Sequence, residues 1–456
     1  MERRYFGTDG IRGKVGSSPI NPEFMLHLAW AVGKVLLRNN PGKVLIGRDT
    51  RISGNMLESA LQSGLNSAGV DVRILGVIPT PAIAYLTKSL RAAASIVISA
   101  SHNPFSDNGV KIFDKNGRKL SDELEAEIEE QLNTPLKTVT SDKLGRSKNI
   151  IDAIPRYIEF CKNTFPADLN LSQLKIVIDC ANGAAFYVAP SVLRELGAQV
   201  ILIADQPDGI NINEHCGATD TKFLQKAVLK HHADLGIALD GDGDRIMMID
   251  AKGNVLNGDI ILAILANDRK TNPKIYNKKK FGVVGTVMSN LGLEKFLEKI
   301  NVPFMRTKVG DRYVLEAMLK HNWSLGGENS GHVICLDHLS TGDGLIAGLQ
   351  VLSVMLRTGQ ALHELSKLIT HYPQVMINVP IEDKSVIKKP AVQKYVQAIE
   401  QTLKQKGRLL LRPSGTEPVV RVMIEGKDLK QIQTLAKQLA HLIQKQDTKT
   451  NLMRTF

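Results

Sequence analysis

Short runs of aliphatic and β-branched residues alternate with amphipathic stretches along most of this chain, and this alternation limits the folds open to it. Five of the runs predict buried strands: Val44–Gly47, Ser95–Ser99, Lys175–Asp179, Leu235–Leu239 and Gly282–Val287. Helical periodicity predicts helices at Leu57–Ala68, Glu123–Leu132, Ala189–Leu196 and Leu293–Ile300. Nearly continuous apolar strands between helices are typical of parallel α/β layers in which helices cover both faces of a sheet.

Polar stretches divide the 456-residue chain into four predicted domains. Its length also favours three or four domains of ordinary size. The predicted domains are residues 1–152, 153–255, 256–370 and 371–456. Three successive α/β units suggest an internal repeat. The fourth domain, from about Val375, has the order strand, helix, strand, strand, helix, which predicts an α+β fold, and residues after Gln446 are predicted to be a polar tail.

The formal net charge of +12 favours an anionic partner, although a solvated basic surface gives the same count. The densest basic run, Lys278–Lys280, is too short to indicate nucleic acid, and aromatic residues make up only 5% of the chain. No apolar stretch approaches 18 residues, so no membrane span is predicted, and no apolar segment follows Arg3 and Arg4, so no signal peptide is predicted. Four cysteines without metal or disulfide spacing fit the cytosol. The charge therefore leaves phosphorylated metabolites, an anionic membrane surface and a solvated basic surface open.

The most unusual loop carries three carboxylates at alternate positions, Asp240, Asp242 and Asp244, after the predicted strand Leu235–Leu239. Such charges repel one another unless a hard cation lies between them. An EF-hand is excluded, because its sixth and twelfth positions would be Arg245 and Ala251 in place of Gly and Glu. A divalent metal site and an acidic surface turn remain.

Four further loops carry groups that can bind phosphate or sugar. Ser101 follows the strand Ser95–Ser99, where open α/β sheets bind ligands, although Ser-His-Asn-Pro is also an ordinary turn sequence. Arginine, hydroxyls and free amides, as in the segment from Arg412 to Pro418, suit phosphate. The two remaining loops, 326–332 and 7–13, are weak signals taken singly.

Together these segments resemble the α-D-phosphohexomutase superfamily. The motifs GTDGIRG, SASHNP, DGDGDR, GENSGH and RPSGTEP occur in its order and approximate spacing, and the resemblance covers essentially the whole chain. The start MERRYFGTDGIRG, the loop SASHNPFSDNGVKIF, the segment TKVGDRYV and the loop GENSGH are most similar to the bacterial phosphoglucosamine mutases.

The resemblance implies three related mixed-sheet α/β domains and a smaller α+β C-terminal domain around a central cleft. It implies interconversion of glucosamine 6-phosphate and glucosamine 1-phosphate by a cytoplasmic isomerase that uses Mg²⁺. The implied roles are as follows: Ser101 is the phosphoserine; Asp240, Asp242 and Asp244 bind the metal with it; Arg12 and Lys111 transfer protons or stabilise charge; Glu328, Ser330 and His332 bind sugar; and Arg412, Ser414, Gly415, Thr416 and Arg421 bind the phosphate that is not reacting.

The chemistry adds its own constraints. A phosphoserine carries about −1.5 to −2 charges. With three aspartates and one Mg²⁺ the site stays near −3, so Arg12, Arg245 and Lys111 are candidates for the remaining cations. The all-oxygen ligand set fits Mg²⁺ better than Zn²⁺. Water must be excluded, so we expect the fourth domain to close over substrate.

Several alternatives remain open from the sequence. A phosphomannomutase or phosphoglucomutase would carry the same motifs. A serine phosphatase needs only the metal and Ser101, and a non-catalytic phosphosugar-binding protein needs only the phosphate-binding loop. The expected partner is a phosphorylated amino sugar, with no nucleic acid and no membrane. A homodimer is compatible with the sequence, which does not fix the oligomeric state.

Overall fold

A computed structural model of the protein describes residues 4–7, 9–38, 42–276, 281–414 and 418–452, with side chains described as far as Asp447. The chain forms two bodies. The first comprises Met1–Met288 and Ile300–Leu368, and the second comprises Ser289–Lys299 and Ile369–Phe456.

The first sheet has six strands in the order β1-β5-β4-β2-β3-β6. Their bounds are β1 (Ile11–Lys14), β2 (Lys43–Arg48), β3 (Asp71–Val77), β4 (Ala94–Ile98), β5 (Asp107–Asp114) and β6 (Ser147–Asn149). The helices are α1 (Pro22–Leu36), α2 (Gly54–Ser67), α3 (Thr80–Ser89) and α4 (Asp122–Gln131). Strand β2 is parallel to β3 and β4, whereas β5 is antiparallel to β4 and β1. The sheet is therefore mixed, and the β4–β5 connection carries Ser101.

The second sheet has the order β11-β10-β9-β7-β8. Its elements are α5 (Ala153–Asn163), β7 (Lys175–Asp179), α6 (Val188–Glu195), β8 (Gln199–Ile203), α7 (Lys222–His231), β9 (Leu235–Leu239), β10 (Ile246–Asp250) and β11 (Val255–Leu256). Strands β8, β7 and β9 are parallel, and β10 returns antiparallel to β9. The turn between β9 and β10 carries the three aspartates.

The third sheet has the order β13-β12-β14-β15. Its elements are α8 (Gly258–Thr271), β12 (Val283–Thr286), β13 (Phe304–Thr307), α10 (Asp311–His321), β14 (Leu325–Gly327), β15 (Val333–Cys335), α11 (Gly344–Thr358) and α12 (Leu362–Leu365). Strand β12 is parallel to β13 and β14, and β15 is antiparallel to β14. The β14–β15 turn carries Glu328, Ser330 and His332.

The second body contains an antiparallel sheet of order β16-β18-β17. Its elements are α9 (Leu291–Lys299), β16 (Gln374–Pro380), α13 (Pro390–Leu403), β17 (Gly407–Pro413), β18 (Val419–Gly426) and α14 (Leu429–Leu452). The predicted order of elements is correct, but the predicted tail after Gln446 is wrong because α14 continues to Leu452. The carboxylate of Asp447 accepts bonds from the amides of Glu382 and Asp383 at 2.8 and 3.2 Å, which ties this part of the helix to the body.

The five predicted strands and four predicted helices are all present, so the predicted mixed-sheet α/β architecture is confirmed. Among the described residues, no single helix is long and apolar enough to cross a membrane. The bent pair Gly344–Thr358 and Leu362–Leu368 reaches that length and apolarity only when its two parts are counted together. Residues 344–355 of this pair are all buried within the protein.

A buried polar contact joins the second sheet region to the third. Tyr157 on α5 is fully enclosed, and its hydroxyl donates to Asp343 Oδ2 at 2.6 Å. Asp343 also caps α11, because its Oδ1 accepts from the amide of Ile346 at 2.9 Å.

We expect Tyr157→Phe to lower the free energy of unfolding by about 1.5–3 kcal/mol, the cost of losing a hydrogen bond to a charged group. The measurement is the denaturant midpoint above pH 7, because burial raises the pKa of Asp343 to about 6 and the carboxyl must be ionised. Tyr187→Phe is the matched control, since Tyr187 is 56% exposed. Equal midpoints for the two variants would contradict the prediction.

Candidate active site and metal centre

Ser101 lies in a tight turn directly after β4 and is buried. Its φ of 52° is in the left-handed region, and its amide donates to Ser99 Oγ at 2.9 Å. Its hydroxyl donates to Asp240 Oδ2 at 2.6 Å. The sequence hypothesis requires a hydroxyl from the first quarter of the chain to face acidic side chains from the middle, and the structure has this arrangement.

The three aspartates of the β9–β10 turn form one buried cluster. Asp240, Asp242 and Asp244 each offer a carboxylate oxygen, and these oxygens lie within 4.8 Å of one another. Gly241 is required where the turn passes the serine loop, because a Cβ there would lie 2.6 Å from the Ser101 carbonyl oxygen. The turn therefore packs against the segment that holds Ser101.

Lys111 on β5 compensates two of the three carboxylates. Its Nζ lies 2.9 Å from Asp242 Oδ2 and 3.3 Å from Asp244 Oδ2, and the side chain is 2% exposed. Burial favours a raised pKa for both aspartates, but Lys111 acts with Thr80 at Asp242 and with His332 and Arg245 at Asp244, and together they lower the pKa of each carboxyl. Both carboxylates are therefore ionised at neutral pH.

Asp240 has a different environment. Burial, followed by the charges of Asp244 and Asp242, raises the pKa of Asp240 to about 8. Its Oδ1 accepts from the amide of Arg245 at 3.1 Å. Without a cation, one proton is thus retained in the cluster at neutral pH.

These residues fit a divalent cation. Asp242 Oδ1 and Asp244 Oδ1 are buried and accept no hydrogen bond from any residue that the structure describes. Buried carboxylate oxygens without donors carry a large desolvation cost, which a hard cation relieves. The ligand set consists of oxygen alone, and the Ser101 oxygen lies beside it.

Further basic and acidic groups surround the cluster. Arg12 forms an ion pair with Asp9, and Lys111 Nζ lies 3.7 Å from the same carboxylate. Lys119 Nζ contacts Asp9 and lies 2.7 Å from Asp311 Oδ2. Asp9, Lys119 and Asp311 were not among the predicted site residues, although Asp9 lies in GTDGIRG and Asp311 in TKVGDRYV.

His102 is next to Ser101, with Nδ1 at 3.4 Å from the hydroxyl oxygen. Burial, followed by the positive charges of Arg245 and Arg12, lowers the pKa of His102 to about 4. The imidazole is neutral at pH 7 and adds no charge to the site.

The predicted sugar-binding loop reaches the same cluster through His332. Its Nδ1 lies 3.7 Å from Asp244 Oδ1, and its Nε2 lies 3.7 Å from Asp311 Oδ2. Glu328 Oε1 accepts from the amide of Gly310 at 3.0 Å. Ser330 Oγ is buried and makes no hydrogen bond within the described part of the chain. The structure thus brings together the serine, acidic and sugar-binding loops of the first body.

The predicted phosphate-binding residues belong to the second body. Arg412 on β17 is directly opposite Arg421 on β18 in the antiparallel register. Burial, followed by the charge of Arg421, lowers the pKa of Arg412. The carbonyl of Ser414 accepts from Lys384 Nζ at 2.8 Å. Adjacent guanidinium groups suit an anionic ligand, while Gly415 and Thr416 lie outside the described residues.

Four family models match the chain in sequence order. They are described as phosphoglucomutase/phosphomannomutase alpha/beta/alpha domains I, II and III, at residues 3–138, 155–253 and 257–372, and the C-terminal domain at residues 376–442.

Curated relatives match over nearly their whole length. A protein of Nitrosococcus oceani named phosphoglucosamine mutase is 56% identical, with 96% of this chain and 97% of the relative covered. A phosphoglucosamine mutase of Coxiella burnetii is also 56% identical, with 97% of this chain and 99% of the relative covered.

Solved structures share the fold at lower identity. A phosphoglucomutase/phosphomannomutase family protein from Burkholderia thailandensis has a TM-score of 0.80 at 22% identity, covering 97% of this chain and 98% of its own. The Aspergillus fumigatus N-acetylphosphoglucosamine mutase, solved with GlcNAc-6P and magnesium, has a TM-score of 0.71 at 18% identity, covering 98% of this chain and 96% of its own.

Proposed function

The chain belongs to the bacterial phosphoglucosamine mutases of the α-D-phosphohexomutase superfamily, and we propose that it interconverts glucosamine 6-phosphate and glucosamine 1-phosphate through phosphorylated Ser101. The observation that supports this most directly is the 2.6 Å contact between the Ser101 hydroxyl and Asp240, inside the cluster of three carboxylates.

The proposed reaction uses Ser101 as donor and acceptor in turn. The free hydroxyl of the bound sugar phosphate attacks phosphorus on Ser101, the bond to Oγ breaks, and a sugar bisphosphate forms. The bisphosphate reorients, Ser101 Oγ attacks its other phosphorus, the bond from that phosphorus to the sugar oxygen breaks, and the product sugar phosphate leaves. Positioning and charge stabilisation are the main contributions that a protein makes to phosphoryl transfer.

We propose Mg²⁺ as the metal, held by Asp240, Asp242, Asp244 and the serine phosphate. When bound, it would offset negative charge on the transferring phosphoryl group. Lys111, Arg12 and Arg245 would supply the remaining positive charge. Lys111 has the clearest geometry, because it contacts two of the proposed metal ligands.

Substrate binding is divided between two loops in this proposal. Glu328, Ser330 and His332 would contact the sugar, and the buried, unpartnered Ser330 hydroxyl is suited to a sugar hydroxyl. Arg412, Ser414 and Arg421, with Gly415 and Thr416, would hold the phosphate that is not reacting. Such a site must accept either end of the bisphosphate, so it should recognise phosphate and not sugar.

The decisive assay compares kcat/KM for glucosamine 6-phosphate, glucose 6-phosphate and mannose 6-phosphate with Mg²⁺. We expect the amino sugar to be preferred, and preference for either hexose phosphate would favour the phosphoglucomutase or phosphomannomutase alternative. Steady release of inorganic phosphate would indicate a phosphatase.

Intact mass should show one phosphate on the peptide containing Ser101. Its absence, with no activation by a sugar bisphosphate, would indicate a binding protein.

Asp242→Ala should raise the Mg²⁺ concentration needed for half-maximal activity by at least about 10- to 100-fold, the range typical for residues that support a metal site. Asp168→Ala, at an exposed aspartate, is the matched control. An unchanged metal titration would contradict the assignment of Asp242 as a ligand.

Metal binding should also depend on pH. The proton that Asp240 retains, because its pKa is about 8, must leave when Mg²⁺ binds. In protein freed of phosphate, the apparent Mg²⁺ affinity should therefore rise with pH and level off above about 8. Since the folded pKa exceeds the unfolded one, stability without metal should fall as the pH rises from about 4 to about 8.

Calorimetry in two buffers of different ionisation enthalpy checks the proton count. Binding at pH 7 should release close to one proton, and binding above pH 9 should release close to none. Asp240→Asn is the control, because the amide carries no such proton. Binding at pH 7 without proton release would contradict the prediction.

A further inference from the structure

The backbone of the serine loop is held by two side chains from outside it. Arg51 Nη2 donates to the carbonyl oxygens of Ser101 and Asn103, at 3.2 and 2.5 Å. Asn213 Nδ2 donates to the same two oxygens, at 2.9 and 3.2 Å. Each carbonyl therefore has one donor from the region of the first sheet and one from that of the second.

Both donors are themselves fixed. The Arg51 side chain is fully buried and forms an ion pair with Asp49, which also accepts the Arg51 amide at 3.0 Å. The amide of Asn213 donates to the carbonyl of Ala181 at 2.9 Å. Arg51 therefore cannot move away from the serine loop without breaking a buried ion pair, and the backbone of Asn213 is held beside the loop by its bond to Ala181.

The conformation of Ser101 explains why such support is needed. Its φ of 52° is one that residues with a side chain seldom adopt unless their surroundings hold them there. The direction of the hydroxyl toward Asp240 depends on that backbone conformation. A change in the conformation at Ser101 would move its oxygen relative to the acidic cluster.

We infer that Arg51 and Asn213 are positioning residues that keep the Ser101 oxygen in place for both phosphoryl transfers. The inference rests on the proposed function, because only a carrier that gives and receives phosphate needs the same oxygen position twice. A misplacement of about 1 Å can cost on the order of 100-fold in rate. Neither side chain needs to contact the sugar, so the loss should fall on kcat and not on KM.

Asn213 is the better residue to test, because removal of the Arg51 guanidinium leaves Asp49 buried without its cation. Asn213→Ala and Asn213→Asp both remove the donor, and the second keeps the size of the side chain. We expect kcat to fall about 10- to 100-fold, with KM for the sugar phosphate within about twofold. Transfer of phosphate from phosphorylated Ser101 to substrate in a single turnover should slow by the same factor.

Asn211→Ala is the matched control. Asn211 lies in the same loop, and its Nδ2 donates at 2.9 Å to the carbonyl of Gln206, away from the serine. Its kcat and KM should equal those of the wild type. An unchanged kcat in both Asn213 variants, or an equal loss in Asn211→Ala, would overturn the inference.

Hydrogen exchange separates this inference from the proposed function. Amides of residues 99–103 should exchange faster in Asn213→Ala than in the wild type and Asn211→Ala, whatever the reaction catalysed. If the wild type neither carries phosphate nor converts the sugar phosphate, the proposed function fails. The exchange result still shows whether Asn213 holds the serine loop in place. Unchanged protection of that loop in Asn213→Ala overturns the positioning role.

Discussion

Ser101→Ala is expected to abolish mutase turnover, with a loss on the order of 10⁴-fold or more, as for removal of other essential nucleophiles. No other described hydroxyl donates a hydrogen bond to Asp240, so no side chain at hand replaces the carrier. The fold should be retained. The change removes one hydroxyl, and Asp240, with its pKa of about 8, can keep a proton when the donor is lost.

The measurement combines kcat for glucosamine 6-phosphate, intact mass and the unfolding midpoint. The variant should carry no phosphate. Its free energy of unfolding, obtained from the unfolding midpoint, should differ from that of the wild type by no more than about 1–2 kcal/mol. Ser106→Ala is the matched control, since Ser106 lies in the same connection and precedes β5. Near-normal turnover of Ser101→Ala, even with added sugar bisphosphate, would remove Ser101 from the mechanism.

The strands and helices could be predicted because their signals are local. The runs Lys175–Asp179 and Leu235–Leu239 coincide with β7 and β9, because polar turns on both sides of an apolar run define where the strand begins and ends. The C-terminal end of α14 could not be predicted in this way. Asp447 reads as polar tail in sequence, and only its contacts with distant amides at 382 and 383 show that it belongs to the folded helix.

The sequence also does not indicate that α9 belongs to the second body. The chain returns to the first body at Ile300, so nothing in the order of elements separates this helix from its neighbours. Long-range bonds explain the grouping: Asn290 donates to the carbonyl of Tyr372 at 2.9 Å and accepts from its amide at 3.0 Å. Contacts across so many residues leave no periodic signal in the sequence.

The candidate site also combines residues that the sequence predicts with residues that only the structure shows. Ser101 and the three aspartates could be singled out because each lies in a loop directly after a buried strand, and the aspartates alternate with glycine in an unusual pattern. Lys119 and Asn213 could not, since neither lies in one of the five motifs and each acts through a partner far away in sequence. Motifs identified the groups expected to react, whereas the residues that compensate or hold them emerged only from tertiary contacts.

Lys111 provides the second large prediction, because its loss would leave two buried carboxylates without their closest cation. Lys111→Met keeps the length and apolar stem of the side chain while removing the charge. Without metal, we expect a loss of about 3–5 kcal/mol in stability, the range for breaking a buried ion pair by removing one partner. Turnover should fall by about 10²–10³-fold, as when one preorganised electrostatic donor is removed.

Mg²⁺ can test whether the positive charge of Lys111 is what stabilises the protein. A cation bound by Asp242 and Asp244 compensates the same charges, so the stability difference between Lys111→Met and wild type should narrow in saturating Mg²⁺ compared with EDTA. Lys115→Met is the matched control, because Lys115 follows the same strand but is exposed. A difference of equal size in EDTA and Mg²⁺ would mean that Lys111 stabilises the protein by packing, and that its positive charge does not compensate the proposed metal ligands.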